Sequence, residues 1–147
     1  MKLRTLIVLG SFIVIAACSK NKFSSTPSLT FKSASTTNVK QNQPVTFTLE
    51  FMDAEGDLGG TVGVKKTSST CAGANFIDSL TFIIPSFPEN TDAKGTIQVY
   101  FEYANLKPFP CNGVDTVETA VFQFWIKDKA GHVSDTASSP AITIHKP

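Results

Sequence analysis

The chain has 147 residues, of which 41% are hydrophobic and 17% charged. That balance suits one globular domain and excludes both a multidomain enzyme and a disordered segment. The formal net charge is +1, and Arg4 is the only arginine. Without Lys2 and Arg4, which lie in a leader segment described next, 11 lysines face 12 acidic residues. Such a chain lacks the basic footprint and the bidentate reader of phosphate and guanine on which nucleic-acid binding draws. No nucleic-acid partner is expected.

Residues 1–17 have the form of a signal peptide. Lys2 and Arg4 make a positive start, and Leu6 to Ala17 is an apolar run of 12 residues. That is too short to span a bilayer, which takes about 20 residues, but right for a signal h-region. The run ends Ile15-Ala16-Ala17-Cys18, which resembles the bacterial lipobox. The resemblance implies cleavage before Cys18, acylation of its thiol, a membrane partner reached through the lipid, and a place in the cell envelope at the outer membrane. Two or three acyl chains anchor stably where one does not, each buried CH₂ contributing about 0.8 kcal/mol. The simpler reading is an ordinary secretory signal. Ser19-Lys20-Asn21-Lys22 carries no acid of the kind that marks surface display in Bacteroidota lipoproteins, so the periplasmic and surface faces both stay open. Residues 18–28 read as the lipidated cysteine and a polar tether. The folded domain is expected over 29–147.

From Leu29 onward the pattern is alternation, with no sustained helical stripe. Leu29 and Phe31 flank Thr30. Val45, Phe47, Leu49 and Phe51 alternate with Thr46, Thr48 and Glu50. A weaker strand includes Val62 and Val64. Leu80, Phe82 and Ile84 form the next, then Ile97, Val99, Phe101 and Tyr103, then Phe122, Phe124 and Ile126, and finally Ile142 and Ile144. About seven short strands separated by Gly, Pro and Asn/Asp clusters predict an all-β, immunoglobulin-like antiparallel sandwich, with a small barrel as the alternative.

With Cys18 assigned to lipid, Cys71 and Cys111 remain, both beyond the export signal. An oxidising compartment makes a Cys71–Cys111 disulfide the expected state. Its loop of about 41 residues would contribute roughly 4 kcal/mol in the chain-entropy model.

The most pointed chemical cluster follows the Val45–Phe51 strand: Asp53-Ala54-Glu55-Gly56-Asp57-Leu58-Gly59-Gly60. Three carboxylates at alternate positions can turn oxygens towards one cation, and calcium takes six to eight oxygen ligands. The EF-hand pattern fails, since Leu58 and Val64 stand where Gly and Glu belong. In an immunoglobulin-type sandwich this loop shares one end with Asp128-Lys129-Ala130-Gly131-His132, so Asp128 is placed to join Asp53, Glu55 and Asp57 around calcium. A solvated polar turn is the alternative.

These stretches carry a second resemblance. Phe51 to Gly59, Val121 to Ser134 (ending Asp128-Lys129-Ala130-Gly131-His132-Val133-Ser134) and Ser139-Pro140-Ala141-Ile142-Thr143-Ile144 are similar to the corresponding stretches of small Bacteroidota lipoproteins. The resemblance implies an immunoglobulin-like sandwich on a lipid tether, and it implies no activity.

Catalysis has little material. His132, with Asp128, Asp135 and Ser134, is crowded into one turn, and His145 lies near the end of the chain. No enzyme activity and no catalytic residue are expected. Trp125 and Tyr100 are out of phase with their strands and should face outward, where an aromatic ring either packs on the sheet or stacks on a ligand. Trp125 is the candidate contact for a glycan or protein partner. The expected role is a non-enzymatic binding or structural module. A calcium-stabilised accessory of an uptake or adhesion system is the alternative.

Overall fold

The computed structural model describes residues 25–70, 75, 79–85, 88, 91–106 and 117–146. Cys18, Cys71 and Cys111 lie outside the described residues, as do the tether residues before Ser25.

The fold is an all-β sandwich. Its strands are β1 (Ser28–Ala34), β2 (Asn38–Val39), β3 (Val45–Asp53), β4 (Thr61–Ser68), β5 (Leu80–Ile83), β6 (Ala93–Phe101), β7 (Val117–Lys127), β8 (Ala137–Ser138) and β9 (Ile142–His145). One sheet has the order β1-β3-β6. The other has the order β2-β9-β7-β4-β5, with β8 also paired to β7. All pairings are antiparallel except β2 with β9. This order corresponds to strands A-B-E in one sheet and A′-G-F-C-C′ in the other of an immunoglobulin-type sandwich. The two-residue strands β2 and β8 raise the number above the seven expected.

Alternation dictates which faces meet. In β3, Val45, Phe47, Leu49 and Phe51 are buried, and in β7 Ala120, Phe122, Phe124 and Ile126 are buried. Phe47 sits at the centre of the core. Its ring centroid lies 4.8 Å from that of Phe122, 5.2 Å from Phe124 and 6.1 Å from Phe101. The tilted and edge-on arrangements are those favoured by ring quadrupoles.

Two expectations shift. Strand β6 ends at Phe101, and Tyr103 lies instead in a 3₁₀ turn, Tyr103–Leu106, where its ring is buried. There the Tyr103 hydroxyl donates to the carbonyl of His145, which closes the turn against β9. The weak strand around Val62 is a full strand of eight residues, paired with β7 along its whole length.

One buried feature has no counterpart in the sequence reading. Lys66 of β4 and Glu118 of β7 are both fully buried, with Nζ 2.7 Å from Oε1. Lys66 Nζ also donates to the Leu106 carbonyl at 2.7 Å. Burial pulls the Lys66 pKa down, and the facing Glu118 charge opposes that shift. The signal was present: Lys66 follows Val62 and Val64 in phase, and Glu118 precedes Ala120 and Phe122 in phase.

Candidate functional site

The acidic residues gather at one end of the sandwich because each sheet places an acid at the inward position after an apolar stretch, at the end of β3 and just beyond the end of β7. Asp53 occupies the inward position that follows Phe51 in β3, and Asp128 occupies the one that follows Ile126 of β7. Each sheet therefore delivers one carboxylate to the same pole. Asp53 is fully buried and Asp128 is 3% exposed.

Asp57 ties the two loops together. Its carbonyl accepts the Lys129 N–H at 3.1 Å, and its Oδ2 accepts the Ala130 N–H at 3.1 Å. Gly60 permits this approach, since a Cβ there would overlap the Lys127 carbonyl. Gly56 and Gly131 take positive φ values of 69° and 96°, which glycine adopts without strain. The loop after β3 and the turn after β7 are thus sewn into one unit.

The four carboxylates have different fates. Both oxygens of Asp128 are engaged: Oδ1 accepts the His132 backbone N–H at 2.7 Å, and Oδ2 lies 3.0 Å from His132 Nδ1. Glu55 is exposed, and its contribution is its backbone N–H, donated to Asp53 Oδ1 at 3.4 Å. Asp53 and Asp57 face each other. Burial holds the Asp53 carboxyl above the ordinary carboxylate range; the Glu55 N–H works against that, and the charges of Asp57 and Asp128 reinforce it. Among the described residues, no three His, Cys, Asp or Glu side chains converge as a metal-binding group. Of the four acids expected around calcium, Asp53, Asp57 and Asp128 come together at this pole, and Glu55 is exposed beside them.

The other candidates are structural in their surroundings. Ser134 is committed to the backbone, where its hydroxyl accepts the Ile126 N–H at 3.0 Å and donates to the Asp135 carbonyl at 2.8 Å. Trp125 faces outward as expected, but its indole lies across Gly63, its direct partner on β4, and a Cβ at Gly63 would overlap the ring. Trp125 is accordingly half-buried. Tyr100 is 56% exposed and borders an apolar groove of about 420 Å³ between edge strands β5 and β6, lined also by Phe82, Ile84, Ile97 and Val99.

No protein-family model matches the chain. Among solved structures, it is similar to the crystal structure of Spo0M, a sporulation control protein from Bacillus subtilis, with 9% sequence identity and a TM-score of 0.49. The match covers 83% of this chain and 50% of that one, so the chain spans about half the length of the structure it matches.

Proposed function

We propose that this chain is a lipid-anchored protein of the cell envelope whose sandwich serves as a non-catalytic binding or structural module. The observation that carries the reading is Ile15-Ala16-Ala17-Cys18, placed directly after a short apolar run with a basic start. The polar residues between Cys18 and β1 support it, since they give the domain a tether away from the bilayer. The serine nearest His132 also fits a scaffold, because both its hydrogen-bonding functions are spent on the backbone.

The test is metabolic labelling of cells expressing the full chain with an alkyne-tagged fatty acid, followed by fractionation. The wild-type chain takes up label and sediments with membranes. Cys18→Ala loses the label and accumulates with the uncleaved leader. A labelled Cys18→Ala chain, or an unlabelled wild-type chain in the soluble fraction, overturns the reading.

A further inference from the structure

Two carboxylate oxygens at the acidic pole are closed off from solvent and receive no hydrogen bond: Asp53 Oδ2 and Asp57 Oδ1. The companion oxygens are already used, Asp53 Oδ1 by the Glu55 N–H and Asp57 Oδ2 by the Ala130 N–H. The free oxygens therefore belong to two carboxyl groups that face each other, one of them on a side chain with no exposure at all. A buried acceptor without a partner is costly, more so when charged, and two such anions in contact repel. A positive charge between them answers both problems.

We propose that Asp53 and Asp57 bind a hard divalent cation of the calcium type, held between the loop after β3 and the turn after β7. The donors are oxygens only, which suits calcium or magnesium and not the softer metals. Magnesium keeps several of its waters and demands near-octahedral order, whereas calcium accepts irregular sets of carboxylate and carbonyl oxygens. A pair of buried oxygens set in loop backbone suits calcium better. With two carboxylates the affinity belongs to the weak class, with Kd of about 10⁻⁴–10⁻³ M. Asp128 stays outside the site because both of its oxygens are engaged by His132. Glu55 stays outside because its side chain is in solvent.

The test uses the full chain purified in detergent, by thermal unfolding in about 10 mM calcium or in chelator, at or above ten times the expected Kd. Calorimetric titration with calcium chloride gives binding independently of unfolding. The wild-type chain should gain several degrees in Tm with calcium and bind one ion. Asp53→Asn and Asp57→Asn should lose that gain. In chelator each should match or exceed the wild type, because the new amide donates to the facing carboxylate. Glu55→Gln should keep the full response. Absence of both a Tm shift and binding heat in the wild type overturns the proposal, and so does a response that survives in both Asn variants. An equal response to magnesium overturns the assignment to calcium. Should Asp53→Asn fail to fold, Asp57→Asn and the wild-type titration decide the matter.

Discussion

Lys66 and Glu118 pair at 2.7 Å in a part of the core from which solvent is excluded on both sides of the contact. Among the described residues, no hydrogen-bond donor other than the Lys66 ammonium approaches the Glu118 carboxylate. Removing one partner leaves the other as an uncompensated buried charge, a loss of about 3–5 kcal/mol. Lys66→Met should therefore be strongly destabilised in urea unfolding. The double variant Lys66→Met/Glu118→Leu should recover most of that loss, because two apolar groups of similar volume replace the pair. A double variant as unstable as the single one would show that the bond from Lys66 to Leu106, not the ion pair, is what matters there.

Ser134 and Ser139 act as side-chain extensions of the larger sheet. Each bonds one residue of β7 twice: its N–H donates to the carbonyl, at 2.9 Å to Ile126 and 2.8 Å to Phe122, and its hydroxyl accepts the N–H at 3.0 Å. Ser134→Ala or Ser139→Ala leaves a buried N–H without an acceptor. Each should cost about 1–3 kcal/mol by equilibrium unfolding. Hydrogen exchange at the Ile126 or Phe122 amide should speed up locally in the matching variant.

Trp125 reports on its own packing. Gly63→Ala places a methyl group where the indole lies, so the ring must move off the sheet. A loss of about 1–3 kcal/mol is expected, as for overpacked sites, together with a red shift of tryptophan emission. Unchanged emission would mean that the ring is not held against Gly63 in solution.

Glu50 links all three strands of the smaller sheet, with Lys32 of β1 at 3.3 Å and Lys94 of β6 at 3.2 Å. Hydrogen bonds from Lys32 and then Lys94 hold its carboxyl below its ordinary pKa. The folded state therefore releases the Glu50 proton more readily than the unfolded chain does. The resulting stability is complete above the ordinary carboxylate range and is lost as pH falls through the lowered value. Glu50→Gln should remove that part of the acid limb of a Tm–pH curve. The difference should be small, because the triad is exposed, and should vanish in about 1 M salt, where the Debye length is about 3 Å.

Strands with strict alternation were legible because burial on one face imposes period two, and β3 and β7 follow it residue by residue. The same rule carries Asp53 and Asp128 to a common pole. Strand β4 reads weakly because its inward positions after Val64 are Lys66 and Ser68, which look like surface residues. Inside the sandwich Lys66 is met by Glu118 and Leu106 and Ser68 by the Thr119 carbonyl, all of which lie far along the chain. Tyr103 reads as the end of β6 because its phase is right, but the backbone turns first. The outward direction of Trp125 was legible. Its cover over Gly63 was not, since that follows from the β4–β7 register. The division of labour among the four acids was equally hidden, because it depends on which backbone N–H groups the folded loops present to each oxygen.

The larger sheet is closed by strands from opposite ends of the domain. Asn38 and Val39 lie beside Thr143 and Ile144, and Asn38 Oδ1 meets His145 Nε2 at 2.7 Å across 107 positions of sequence. Such a pairing forms only after a long entropic search, which places the domain among chains that fold in milliseconds to seconds. Until β9 arrives, Val117 to Ala120 of β7 have no neighbour on that side and present unpaired backbone N–H and C=O groups to any other nascent copy. While β9 is undocked, that edge of β7 is therefore a place where misassembly can begin.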